Sequence, residues 1–163
     1  MNLPRIAQLL ENKNDLVVRE VILDTAQKKK QIIYGARAFN AQSPEYLKKK
    51  TTDYDILTKT PKKSAFEVAK ELSRRLGEHV EVIKGTHKGT YRVKLNGETI
   101  VDYTQLKRSP KIKSRWGNQY RDIKSIKRNT QRLLKNPKTE HRREKDMDTF
   151  NRIQEIERIG NLF

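Results

Sequence analysis

Asp53 and Asp55 stand two residues apart in the run Thr52-Asp-Tyr-Asp-Ile-Leu-Thr58. Acid alternates with apolar residue there, so on a pleated strand both carboxylates share one face while Tyr54 and Ile56 turn to the other. Two carboxylates this close repel, and one resists ionising unless a cation sits between them. A chain with 37 Lys and Arg against 20 Asp and Glu could have avoided that repulsion. The chemistry the pair suits is a divalent ion held by oxygen donors, Mg²⁺ above all, acting on phosphate. The same three residues also fit a strand with one solvated polar face.

Two more parts join them. Asp102 lies in Thr99-Ile-Val-Asp-Tyr-Thr104, flanked by apolar and aromatic residues where a core strand would not choose a carboxylate. Upstream, Ile32-Ile-Tyr34 reads as a short buried strand that stops at Gly35, and Ala36-Arg-Ala-Phe-Asn40 as a helical turn. A strand that ends on glycine and opens a helix presents free N–H groups to phosphate.

The elements that must position these residues follow from periodicity and punctuation. Asp15 can cap a helix running to about Lys30. Ser43-Pro44-Glu45-Tyr46-Leu47 suggests a helical turn with proline at its first position. Thr60-Pro61 opens the clearest helix, Ala65, Val68, Ala69, Leu72 and Leu76 line one side, and Gly77 closes it. Strands are expected over His79 to Lys84, Tyr91 to Leu95 and Thr99 to Thr104, the last two joined by Asn96-Gly97, a strong hairpin signal. From Lys107 the pattern reads as polar helix broken at Pro110 and Pro137, with helices from Tyr120 to Leu134 and Glu140 to Ile159. Met147, Phe150, Ile153 and Ile156 give the last one an apolar stripe that should dock on the core. The expected fold is α/β (α+β): a small mixed sheet of about five strands flanked by helices, residues 1–106, with a basic helical extension, residues 107–163.

Charge is uneven. The formal net charge is +17, and Lys107 to Lys145 holds 15 Lys and Arg against 3 Asp and Glu. Such a field expects a polyanionic partner, nucleic acid first, bound with strong salt dependence. Candidate contacts are Arg92, Lys111, Lys113, Arg115, Trp116, Arg121, Lys124, Lys127 and Arg128. Trp116, the only tryptophan, either stacks on an unpaired base or packs against the core. Tyr91 reads as core or base contact, and His87 and His141 as solvated. The chain has no cysteine, which excludes disulfides and thiolate zinc sites and is compatible with a reducing compartment. No apolar run approaches ~18 residues, and the N-terminus is too short and polar for a secretory signal. A cytoplasmic location (host cytoplasm or virion if viral) and no membrane partner are expected.

Taken together, Tyr34-Gly35-Ala36, Asp53-Tyr54-Asp55 and Asp102 resemble the nucleotidyltransferase superfamily of polymerase-β-like fold. The wording from Tyr34 to Asn40, then Pro44-Glu-Tyr-Leu, then Thr51-Thr-Asp-Tyr-Asp-Ile56, is most similar to the viral, poxvirus-type poly(A) polymerase catalytic domain and its small viral and phage relatives. The likeness covers Ile32 to Leu106. It departs at Ala36, where the family has Ser or Gly, and in a long spacing from Gly35 to Asp53. The resemblance implies an NTP substrate and two Mg²⁺ ions on Asp53 and Asp55, with Asp102 as further ligand or base. It also implies that the Gly35 and Ala36 amides hold the β- and γ-phosphates, with Arg37 as a cationic contact. The implied activity is template-independent transfer of a nucleotide to a hydroxyl, at an RNA or DNA end. The rival reading is a non-catalytic nucleic-acid-binding packaging or virion protein keeping this fold, and a third is modification of a protein or tRNA.

Overall fold

The computed structural model of the chain describes residues 3–160, with side chains from residue 14 to residue 160. Strands β1 (Ile32–Tyr34), β2 (Tyr54–Thr58), β3 (Val80–Lys84), β4 (Thr90–Leu95), β5 (Glu98–Gln105), β6 (Ile112–Arg115) and β7 (Asn118–Arg121) form one mixed sheet in the order β3-β4-β5-β2-β1-β7-β6. Helices α1 (Leu3–Lys28), α2 (Gly35–Ala41), α3 (Pro61–Leu76), α4 (Ile123–Lys135) and α5 (Arg143–Gly160) flank it. The α/β class is as expected. Among the described residues no helix is long and apolar enough to cross a membrane.

Sheet alternation sets the core. Ile33, Ile56, Val93, Val101 and Tyr103 point to one face and are fully buried against Val18, Val21 and Ile22 of α1 and Ala65, Val68 and Leu72 of α3. Each Val, Leu or Ile among them contributes about 1.5–3 kcal/mol on leaving water. The α3 ends are as the sequence indicates, with Pro61 in the first turn and Gly77 at φ 64° closing the last.

Four expectations need correction. The sheet has seven strands rather than about five, because the stretch after Lys107, expected to be helical, folds first into the β6–β7 hairpin. That hairpin closes the sheet through β7, which pairs in parallel with β1. Its turn is Trp116-Gly117, both at positive φ (51° and 79°), the twist a two-residue hairpin requires. Helix α1 begins at Leu3, so Asp15 lies exposed in its interior rather than at a cap. Strand β2 begins at Tyr54, placing Asp53 in the bend before it. In the C-terminal helix, Ile153 enters the core and Ile156 packs at its margin, but Met147 remains 37% exposed. Asp146 and Thr149 are buried beside it: Asp146 is ion-paired within the segment with Arg142 at 3.0 Å, and Thr149 accepts from Lys49.

Candidate active site

Strand registers bring the acids together. Tyr34 pairs with Asp55 across β1 and β2, Asp55 with Asp102 across β2 and β5, and Asp102 with Arg92 across β5 and β4. Residues in one transverse row project from the same face of a sheet, so these four side chains stand side by side. This face is opposite the one that carries Ile33, Ile56 and Tyr103 into the core. Asp53 joins them from the preceding bend.

The row is electrostatically loaded around Asp55. Burial first, then Asp53, then Asp102 push its carboxyl up from 3.8 to about 6, with Lys145 and Arg92 acting against the rise. Gly35 closes over this carboxyl: with φ +65°, it sits where an added Cβ would lie 2.4 Å from Asp55 Oδ2. Only glycine accepts both the left-handed backbone and that approach. The Tyr34 hydroxyl lies 3.1 Å from Thr104 Oγ1. Burial, with Asp55 and Asp102, raises Tyr34 to about 12, so it stays a neutral phenol.

Two arginines have structural partners. Arg92 grips Asp102 through both nitrogens, Nε to Oδ1 at 2.8 Å and Nη2 to Oδ2 at 2.9 Å, a bidentate pair. Asp102 is 13% exposed and Arg92 33%. Arg37 donates from Nε to the Asp53 carbonyl at 3.1 Å and lies 4.2 Å from the centre of the Tyr54 ring, so it holds the bend that carries the first acid. At the start of α2, no side chain caps the helix. The first-turn amides beside Gly35 therefore have no side-chain acceptor.

The donor set suits a hard divalent ion: carboxylate oxygens alone, with Asp55 disfavoured as an anion by its neighbours until a cation joins it. Asp53 and Asp55 fit that role. Asp102 gives both oxygens to Arg92, and among the described residues no three His, Cys, Asp or Glu side chains are grouped to hold a metal.

The expected nucleic-acid contacts from residue 111 to residue 128 run along the β6–β7 hairpin and onto α4. Lys111, Lys113, Arg115 and Trp116 belong to the exposed β6 side of the sheet, and Trp116 is 76% exposed at the turn, edge-on to Tyr120 at 6.5 Å. Packing against the core is thus excluded for Trp116. It sits in the turn before β7, at the end of that strand away from Arg121. Arg121, Lys124, Lys127 and Arg128 lie on β7 and α4, and Lys111 is beside them: Ile112 pairs with Arg121, and the Lys111 carbonyl accepts from the Asp122 amide at 2.8 Å, while Lys127 is bound to Glu157 at 2.8 Å. Sequence reasoning missed Lys145. It approaches Asp55 only because α5 folds back, and no local pattern signals that.

Arg92 carries a direct expectation. Arg92→Leu should lower stability by roughly 1–3 kcal/mol in urea unfolding, because a half-buried carboxylate beside two others loses its counter-ion. Asp102→Asn in the same background should restore most of the loss. A loss below about 0.5 kcal/mol would mean that the pair is merely solvated.

A mixed sheet carrying an acidic row beside a glycine-opened helix is a nucleotidyltransferase-type domain. The family described as poly(A) polymerase catalytic subunit matches residues 20–135, and the chain belongs to that family. Among solved structures it is similar to the Megavirus polyadenylate synthase, with a TM-score of 0.75 and 21% identity over 86% of this chain and 31% of that one. It is also similar to JHP933 from Helicobacter pylori, with a TM-score of 0.53 and 15% identity over 86% of this chain and 64% of that one. At such identities the likeness is one of fold, and the chain spans less than two thirds of either protein. No curated protein sequence matches it.

Proposed function

We propose that this chain is a metal-dependent nucleotidyltransferase that joins a nucleotide from an NTP to the hydroxyl end of a nucleic acid. The observation that carries the reading is the register pairing of Asp55 with Asp102, with Gly35 against the Asp55 carboxyl. Asp53 and Asp55 would hold two Mg²⁺ ions, which when bound supply charge neutralisation for the triphosphate and for the departing pyrophosphate. The acceptor oxygen bonds the α-phosphorus. The bond from that phosphorus to the oxygen bridging toward β breaks, and its electron pair leaves with pyrophosphate. Asp102 accepts the acceptor's proton or joins the ligands, and in either role one of its oxygens must leave Arg92. The Gly35 and Ala36 amides face the phosphates, and Arg37 keeps Asp53 in place. Most of the acceleration then comes from positioning and fixed charge, which a small scaffold can supply. Residues 107–163 would present the basic surface for the acceptor strand.

The rival reading, a nucleic-acid binder without catalysis, draws on the Arg92 pairing that occupies both Asp102 oxygens. One experiment separates them: labelled NTPs, Mg²⁺ and RNA or DNA acceptors, with wild type and Asp53→Ala. Label transfer that falls by about 10²–10³-fold or more in the variant is expected. Transfer that survives the substitution, or a wild type inert on every acceptor while binding nucleic acid tightly, would end the catalytic reading.

A further inference from the structure

The acid row does not stop at Tyr34. Because β7 pairs in parallel with β1, with Ile33 opposite Tyr120, Arg121 falls next to Tyr34 at the end of the same row. It lies two strands from Asp55, about 10 Å at the usual strand spacing. Arg121 also lines a concave pocket of about 290 Å³ with Ser125, Arg128, Asn129 and Arg132 of α4. Positions 125, 128, 129 and 132 recur at helical spacing, so one face of α4 turns its arginines toward the strand end.

Among the described residues none of the three arginines is paired with a carboxylate. Two of them are held by neutral groups instead. Arg121 Nε donates to Ser125 Oγ at 3.0 Å, and Arg132 Nη2 donates to Asn129 Oδ1. Ser125 is itself buried. Burial and the nearby charges of Arg132 and Arg128 lower the pKa of Arg121, as expected of cations crowded without a counter-ion. Elsewhere in the molecule most arginines near another element have an acid or a carbonyl. Here three line one hollow with no acid among them.

We propose that Arg121, Arg128 and Arg132 form a binding pocket for the terminal phosphates of the incoming nucleotide, the part released as pyrophosphate. The inference rests on the nucleotidyl-transfer reading of the acid row. Guanidinium forks match phosphate oxygens two at a time. Three of them around one hollow suit a group that concentrates several negative charges. A strand's phosphodiesters carry one charge each and would call for cations spread along a groove. The pocket adjoins Tyr34 and hence Gly35, the side of the row on which the uncapped start of α2 also lies.

The test is calorimetry with inorganic pyrophosphate in the absence of divalent metal. Arg128→Ala and Arg132→Ala should each weaken binding at least tenfold. Arg128→Lys should recover part of the loss, whereas Lys70→Ala, on exposed α3 surface, should change nothing. Both arginines are exposed on a helix, and unchanged melting temperatures will show that the variants fold. A second arm measures a 5′-hydroxyl oligoadenylate by fluorescence anisotropy, where less than a threefold change is expected. Unaltered pyrophosphate binding in both variants overturns the proposal. So does a loss confined to the oligonucleotide, which would make the pocket a strand contact. Arginine-dependent pyrophosphate binding in a protein that transfers no label upholds the pocket while sinking the catalytic reading.

Discussion

Replacing Asp55 with asparagine should raise the melting temperature above pH 7 while abolishing nucleotide transfer. The two effects share one cause. Burial, Asp53 and Asp102 push the Asp55 carboxyl from 3.8 up to about 6. Between those values the folded chain holds the proton more tightly than the unfolded chain does. The contribution to stability is therefore full below about pH 3.8, declines as pH rises through about 6, and stays lost beyond it. A shift of about two units corresponds to roughly 2–3 kcal/mol, with some reduction for the partly solvated edge of the site. The asparagine variant carries no charge to strand there, so its stability should be nearly flat through that window. For a chain of this size the difference amounts to roughly 4–10 °C at pH 8.

Magnesium should act unequally on the two proteins. Added at pH 8, it should raise the melting temperature of wild type, because an ion that binds only the folded state stabilises it by mass action. Asp55→Asn should gain little. The measurement is thermal unfolding at pH 4, 6 and 8, with and without Mg²⁺. A variant that melts below wild type at pH 8 would show that Asp55 is compensated within the fold, and the metal-seeking character of the row would go with it. Under the proposed reading, such a gain would be the stability–activity trade-off expected of a functional site.

How much of this site was legible depended on whether its parts were local. The Asp53-Tyr54-Asp55 alternation, the stop at Gly35 and the Asn96-Gly97 turn are short-range signals, and β1, β2, β4 and β5 follow them. The joining of Asp102 to Asp55 needed only that their two strands be neighbours, and they are. The β6–β7 hairpin left no comparable trace. All four residues of β6 are exposed and three of them carry charge or a hydroxyl, so there is no buried face to alternate with. Its turn uses Trp116 at positive φ, a residue no turn rule would select. An edge strand of this kind is suited to resisting association, and its lysine and arginine hide it from a hydrophobicity pattern. Arg92 was a strand cation with no visible partner until register set it opposite Asp102. Lys145 and the Arg121, Arg128, Arg132 hollow depend on where α5 and α4 fold back, which is tertiary information. The acids were thus readable as residues, and their counter-charges were not.

Gly35→Ala should be the most disruptive single-methyl change in the chain, and its cost can be divided. One part is backbone. Gly35 sits at φ +65°, where a residue with a Cβ loses about 1–2 kcal/mol. The other part is contact: the new methyl would meet Asp55 Oδ2 at 2.4 Å, with Cγ at 3.2 Å and Cβ at 3.3 Å. Asp55 must swing away or the strand must shift, which costs about 1–3 kcal/mol more. Gly77 supplies the internal control. It has φ +64° and nothing within 4 Å of an added Cβ, so Gly77→Ala should cost only the backbone part. In urea unfolding Gly35→Ala should therefore exceed Gly77→Ala by about 1–3 kcal/mol. Asp55→Ala should cancel most of that excess, since only the tight approach to the residue 55 Cβ is left. Nucleotide transfer by Gly35→Ala should be lost even well below its melting temperature, because the displaced carboxyl no longer stands in register with Asp102. Equal costs at positions 35 and 77, or an excess that persists without the Asp55 carboxyl, would mean that the glycine serves the turn alone. The close approach of backbone to acid would then have no part in building the site.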